Sequence, residues 1–386
     1  METKPHPSFA GQLAVVFNDY MHTLGGGERS ALAYARALMD FGFETEILTR
    51  NEVPKASRIQ ETFGNEFADV PIRKISARQL YSYLKPAGVM VFVNHTFLSF
   101  EPNPGKIGFY SQMFPERTVR RHEHSREWAA LQTYSSLLCN SSFTQTYSLG
   151  RWDFPAEKTH VLIPPISSAV IQARDQYKKF LPTKKKQFLN LGRFNPGVHN
   201  KNQKIIIEAF LAACNESTAL KDWTLVLCGN RNQDSASEQY YSDCQGLADK
   251  SNGLVKLRAN LPVDELHQLL EDSFGYVHGT GAFVPAGVSP EKCEHFGLAI
   301  AEAMAHGCIP LVYARGGIFD VLDQKNGGFA YANRQQLIAG FQKISQMYSS
   351  EDAYQFQISN VSSLDRVSRE HFTQRLLELI LGEIRT

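Results

Sequence analysis

Short unbroken apolar runs alternate along this chain with longer segments whose apolar residues recur every third or fourth position. The first run, "QLAVVF" (12–17), predicts a buried strand. "GGGERSALAYARALMDFG" (25–42) then predicts a glycine loop and a helix, with Leu32, Ala35, Leu38 and Met39 on one apolar stripe and Gly42 placed to end it. "FETEILT" (43–49) returns as a second strand, and "GVMVFVN" (88–94), "KIGFYS" (106–111), "SSLLCN" (135–140) and "HVLIP" (160–164) follow it. Helical or irregular segments separate these runs, an alternation that predicts an α/β fold with a mostly parallel sheet.

Residues 171–187, "IQARDQYKKFLPTKKKQ", are polar and lysine-rich and read as a solvated helix end plus a linker rather than a basic binding patch. After them the pattern restarts. Strand "FLNLG" (188–192) leads through a loop into helix "NQKIIIEAFLAAC" (202–214) and strand "TLVLCG" (224–229). A polar helix from about Ser237 follows, then strand "LVKLRA" (254–259), helix "PVDELHQLLEDS" (262–273) with Pro262 in its first turn, and strand "GYVHG" (275–279). A helix holding Glu302, strand "IPLVYA" (309–314) and a tail of helices complete the chain. The expectation is therefore two Rossmann-like domains facing a central cleft, residues 1–175 and 176–365, with a final helix (366–386) that returns to the first. That helix, "HFTQRLLELILGEIRT", carries an apolar face of Phe372, Leu376, Leu379 and Ile380.

Composition narrows the class. With 386 residues, 43% hydrophobic and 20% charged, the chain suits two globular domains, and a net charge of +1 argues against nucleic acid or bulk electrostatic membrane binding. The start, "METKPHPSFAGQ", lacks the basic and apolar regions of a signal peptide, and no apolar run approaches the roughly 18 residues of a bilayer span. Cys139, Cys214, Cys228, Cys244, Cys293 and Cys308 form no C-x-x-C pair, so the expectation is buried thiols in a reducing cytoplasm, with neither zinc nor disulfides.

The chemistry gathers at three places. "EKCEHFGLAIAEAMAHG" (291–307) sets Glu294 and Glu302 eight positions apart. In one helix they would stand about 12 Å apart along the axis; Gly297 argues instead for a loop-to-helix transition near Phe296, with Glu294 just outside. A helix start attracts phosphate, and carboxylates accept hydrogen bonds from sugar hydroxyls, which together suit a nucleotide sugar. "GRFNPGVHNKN" (192–202) follows the first strand of the second half, where open α/β sheets bind ligands, and offers Arg193 and Lys201 to a departing diphosphate. Gly229, the "GTGAF" loop (279–283) and "ARGGIFD" (314–320) end further strands at the same edge. In the first half "LGGGERS" (24–30) opens a helix, but Ser30 stands at the third glycine place of a dinucleotide fingerprint and "LTRN" (48–51) offers no ribose-binding acid.

The order "GGGER", "CNSSFT", "LIPPI", "GRF…HNKNQ", "EHFG…EAMAHGCIP", "GG" resembles glycosyltransferase family 4, retaining enzymes of the GT-B fold with an E-x7-E segment, and within it the GDP-mannose-using mannosyltransferase branch. The resemblance implies that Glu294 holds donor-sugar hydroxyls and Glu302 the ribose. It implies Arg193 and Lys201 on the diphosphate, aided by backbone at Phe296, Gly297 and Leu298, with Gly26 and Gly27 of the first domain facing the same phosphates; Gly229 joins the substrate-binding candidates by its place at the end of a strand on the same edge. Two departures stand out. The family's first-domain histidine falls at Gln112 or Met113, leaving His95 as a stand-in catalytic residue, and Asp320 stands where a Glu often follows the double glycine.

The implied activity is a retaining hexosyltransferase using a GDP- or UDP-sugar as substrate, with no cofactor and, lacking a D-x-D triplet, no metal. The acceptor is a hydroxyl on a glycan, a lipid-linked glycan or a small molecule. The enzyme would be cytoplasmic, either free or peripheral at the inner membrane face; Phe97, Phe100, Tyr110 and Phe114 read as core before membrane patch. An NAD-dependent oxidoreductase with doubled Rossmann domains and a non-catalytic nucleotide-sugar binder are the rival readings.

Overall fold

The computed structural model describes residues 7–76, 79–115, 125–152, 154–177, 179, 182–197, 199–284, 289–322 and 327–385. The chain forms two compact units, Met1–Ser168 with Arg366–Thr386, and Ala169–Asp365.

The first unit carries β1 (Leu13–Phe17), α1 (Gly26–Phe41), β2 (Glu44–Thr49), α2 (Ala56–Phe63), β3 (Ile72–Lys74), α3 (Gln79–Ala87), β4 (Val91–Asn94), β5 (Ile107–Gln112), α4 (Arg126–Leu131), β6 (Ser136–Cys139), α5 (Ser142–Trp152) and β7 (Thr159–Val161). Its strands lie in the order β3-β2-β1-β4-β5-β6-β7, all parallel. Parallel strands are covered on both faces, which is why β1 reads as a continuous apolar run. Ala14 and Val16 pack with Leu32, Ala35 and Leu38 of α1, whereas Val15 and Phe17 face Leu80, Leu84 and Trp152. Gly42 ends α1 at φ 100°, its N–H returning to the carbonyls of Leu38 and Met39. Phe100 belongs to the packing of this unit, its ring 6.0 Å from Tyr110 and 5.2 Å from Trp152, and Phe97 lies 4.4 Å from Phe114.

From the boundary run α6 (Ser168–Tyr177), β8 (Lys185–Leu191), α7 (Gln203–Glu216), β9 (Thr224–Gly229), α8 (Ser235–Asp249), β10 (Val255–Ala259), α9 (Val263–Asp272), β11 (Ser273–His278), α10 (Leu298–Ala305), β12 (Ile309–Tyr313), β13 (Phe329–Tyr331), α11 (Arg334–Met347) and α12 (Glu351–Ser362). The second sheet has the order β10-β9-β8-β11-β12-β13, again parallel. The last helix, α13 (Arg369–Arg385), buries Phe372, Leu376, Leu379 and Ile380 in the core beneath α1. The unit boundary lies at Ser168/Ala169 rather than after residue 175: Arg174 of α6 pairs with Asp365 at 2.8 Å within the second unit.

Each sheet reverses its winding once: the chain moves outward from β1 through β2 to β3 before returning at β4, and outward from β8 through β9 to β10 before returning at β11. The carboxyl ends of β8 and β11 therefore flank the point at which an open α/β sheet receives ligands. Arg193 and Lys201 follow the first of these strands; Glu294 follows the second.

Candidate functional site

The loop after β8 is built to bring Lys201 back over the strand end. A Cβ on Gly192 would meet Lys201 Cγ at 2.4 Å, so only glycine admits the lysine stem there. Gln203 Nε2 donates to the carbonyls of Gly192 and Arg193 at 3.1 Å each, and Asn202 Nδ2 donates to the carbonyl of Gly279 at 2.7 Å, tying this loop to the one after β11. Gly229, at the end of β9, lies against the Gly192 carbonyl and shapes the floor of the same edge.

Lys201 Nζ reaches Glu294 Oε2 at 2.8 Å, and His278 Nε2, from the last residue of β11, reaches the same oxygen at 2.7 Å. The Thr280 hydroxyl lies 3.2 Å from that ring nitrogen. Burial would push the Glu294 carboxyl up, but Lys201 and then His278 hold it well below the usual carboxylate range. Burial pushes His278 and His199 each down to about 4, against the pull of Glu294. The ring of His199 stands perpendicular to that of His295 at 4.0 Å between centroids, and His295 Nε2 donates to the Glu291 carbonyl at 3.1 Å. Arg193 is exposed, and among the described residues its guanidinium has no carboxylate partner.

The backbone of Glu294 is held as firmly as its side chain. Gly317 N–H donates to its carbonyl at 2.8 Å, and a Cβ on Gly316, at φ 107°, would sit 2.2 Å from that carbonyl oxygen. The double glycine after β12 thus lets two strand-end loops touch. Gly297 then takes φ 99° and opens α10, whose eight residues begin at Leu298. Phe296 is buried, and the first-turn N–H groups at Leu298 form a ready anion site beside Glu294. Glu302 lies in the second turn, half-buried; its charge and that of Glu294 both raise the buried Tyr276 phenol, after burial itself. Asp320 closes the short 3-10 turn Gly317–Asp320.

Arg193, Lys201, Glu294, Phe296, Gly297, Leu298, Glu302 and Gly229 all belong to a strand end, loops and the first two turns of a helix at the carboxyl edge of one sheet. The first-unit candidates are placed differently. Gly26 and Gly27 are the opening residues of α1, and a Cβ on Gly27 would meet Met113 Sδ at 3.3 Å. His95 is buried inside the first unit: Nε2 bonds the Gly27 carbonyl at 2.9 Å, Nδ1 lies 2.8 Å from Ser111 Oγ, and burial pushes the ring down to about 4. Both ring nitrogens are engaged inside the unit. His278, His199 and His295 are the residues the sequence did not single out; a lone histidine closing an apolar strand carries no local signal.

In comparison with known proteins, a family model spans residues 172–360, a range that contains Arg193, Lys201, His278, Glu294 and Glu302. That match is to Glycosyl transferases group 1. The glycosyl transferase match covers nearly the whole second unit. Over 245 residues the chain is 24% identical to a mouse (Mus musculus) GDP-Man:Man(3)GlcNAc(2)-PP-Dol alpha-1,2-mannosyltransferase, covering 61% of this chain and 46% of that protein, so the chain spans about half the length of this relative. Among solved structures, a glycosyltransferase from Rickettsia africae superposes with a TM-score of 0.72 at 12% identity, covering 97% and 99% of the two chains. Anabaena Alr3699/HepE in complex with UDP superposes with a TM-score of 0.67 at 16% identity, covering 96% and 100%. The two parallel-sheet units thus share the fold of these glycosyltransferase structures, in agreement with the GT-B fold expected from the sequence. No helix among the described residues is long and apolar enough to cross a membrane.

Proposed function

We propose that the chain is a retaining glycosyltransferase that moves a hexose, of mannose or glucose type, from a GDP- or UDP-linked donor to a hydroxyl acceptor. The acceptor is a glycan, lipid-linked or free, or a small molecule, and positive charge from the chain itself serves the leaving group without a metal. One observation carries the reading: Arg193, unpaired among the described residues, a Lys201–Glu294 pair at 2.8 Å and the start of α10 meet at the winding reversal of the second sheet.

The steps follow from charge. The diphosphate is drawn to Arg193, to the first-turn N–H groups of α10 and to Lys201, whose ammonium has three protons to divide between phosphate and carboxylate. Glu294, kept ionised in its buried seat, accepts hydrogen bonds from the sugar, and Glu302 from the ribose. As the glycosidic bond breaks, charge grows on the diphosphate, where both cations act most strongly. The acceptor hydroxyl attacks from the same face while a donor phosphate oxygen takes its proton.

The likeness to a GDP-mannose-using mannosyltransferase makes GDP-mannose the first donor to test, and the UDP-bound fold neighbour makes UDP-glucose the second. Thermal denaturation with GDP, UDP, their sugars and NADH is the direct assay. Stabilisation by a nucleoside diphosphate or its sugar supports the reading, whereas stabilisation by NADH alone refutes it. A second reading, a nucleotide-sugar binder without turnover, is favoured by Met113, which packs on Gly27 where the resemblance calls for histidine. Transfer or hydrolysis above background dismisses it.

A further inference from the structure

Glu294 presents its two oxygens unequally. Lys201 Nζ and His278 Nε2 both converge on Oε2, at 2.8 and 2.7 Å, while among the described residues Oε1 accepts no hydrogen bond. A carboxylate anchored through one oxygen keeps the lone pairs of the other for a ligand hydroxyl. Because an ionised carboxylate only accepts, His278 Nε2 carries the proton. The ring is almost wholly buried, at 3% exposure, and its own carbonyl is fixed by the Tyr331 hydroxyl at 3.0 Å, so its position on β11 is secured from both ends.

The two anchors behave differently when a donor arrives. On the reading above, on which this inference rests, the Lys201 ammonium turns toward the diphosphate. His278 is neutral and has a single N–H, so a phosphate has little hold on it. The geometry points to His278 as a positioning residue: its Nε2–H keeps Oε2 in place and thereby aims Oε1 at the hydroxyls of the donor sugar. Diphosphate binding does not pass through it. Recognition of the sugar therefore depends on His278, whereas recognition of the nucleoside diphosphate does not.

The test compares wild type with H278Q, H278N and H278F, using GDP against GDP-mannose and UDP against UDP-glucose in thermal denaturation. Glutamine carries an N–H close to the place of Nε2, asparagine reaches only the place of Nδ1, and phenylalanine fills the volume with no donor. The nucleoside diphosphate alone is expected to raise Tm by the same amount in every variant. The sugar nucleotide is expected to add a further rise in wild type and H278Q but not in H278N or H278F. Turnover in H278N and H278F falls at least tenfold with nucleoside diphosphate affinity unchanged, and H278Q recovers most of it. A purely structural role would lower Tm without removing the sugar-dependent increment. An equal increment in wild type and H278N overturns the assignment, and that comparison stands even where H278F does not fold. If neither nucleoside diphosphate stabilises wild type, the donor reading itself has failed, and the inference with it.

Discussion

Burial pushes the Glu294 carboxyl up; Lys201 first, and His278 after it, more than offset this and keep it ionised. The two cations of the site are therefore not equivalent. Arg193 is exposed and bonded to no carboxylate among the described residues, so Arg193→Ala is expected to leave stability nearly unchanged while cutting turnover about a hundredfold, the cost of one lost charge-stabilising group of about 3 kcal/mol. Lys201→Ala is expected to cut turnover as deeply and also to destabilise the second unit by about 3 kcal/mol, because it strands a buried carboxylate. Initial rates and urea titrations of both variants check the contrast, and equal stability losses in the two would contradict it. Gly316→Ala forces a Cβ to within 2.2 Å of the Glu294 carbonyl oxygen at φ 107°, and a loss of at least ~2 kcal/mol in the same titration is expected. The placement of Arg193, Lys201 and Glu294 beyond strand ends was legible in the sequence because charged residues in glycine-bearing loops after apolar runs mark such an edge. His278 was not, because its role comes from the register of β11 beside β8, which no local spacing encodes.

Elements were legible in proportion to their length and periodicity. The stripe on α1 and the apolar runs of β1, β9 and β12 lie where the pattern placed them. The edge strands β3 and β13 escaped it: each has three residues and is paired on one side only, too short to show a period. β8 begins at Lys185, before its apolar core, because Lys185 pairs in register with Ser273 although its side chain faces solvent. α9 runs straight into β11 with no turn residues between them. The helix start at Gly297 was readable, since a glycine before an apolar run marks a place where left-handed backbone is needed. α13 shows what the same stripe logic yields at a distance: its apolar face meets the core beneath α1. Leu376→Ala removes a fully buried side chain there, and a loss of about 2–5 kcal/mol is expected in the unfolding of the first unit. Nucleoside diphosphate binding, assigned to the second unit, is expected to survive that change in a titration; loss of binding would contradict the assignment.

At the scale of the whole molecule, both units hold histidines that fold only as neutral rings. Burial lowers His95 in the first unit, and His199, His278 and His306 in the second, each to about 4. An imidazole in the unfolded chain has a pKa of about 6.5, so as pH falls below that value the unfolded state takes up protons that the folded state refuses. Stability is therefore expected to fall from about pH 6.5 towards pH 4; below about pH 4.5 Glu294, held below its ordinary value, adds a further loss, because the unfolded chain's carboxyl takes up a proton that the folded one refuses. Tm against pH, flat above pH 7 and falling below, is the expected profile; constant Tm down to pH 4 would contradict the burial of these rings. The two-unit parallel fold was legible because the βα pattern stops at a polar, lysine-rich stretch and then restarts. The identity of the acceptor was not, because the aromatic residues that the sequence offered pack on one another within the first unit, Phe97 on Phe114 and Phe100 on Tyr110 and Trp152. The central claim is that a sugar nucleotide is held by its diphosphate at Arg193 and Lys201, and a crystal structure with a bound donor tests it most directly. The account predicts phosphate oxygens in hydrogen-bond contact with both cations and with the start of α10, and the sugar on Glu294 Oε1. A diphosphate bound elsewhere, with the Lys201–Glu294 pair undisturbed and Arg193 free, would contradict it.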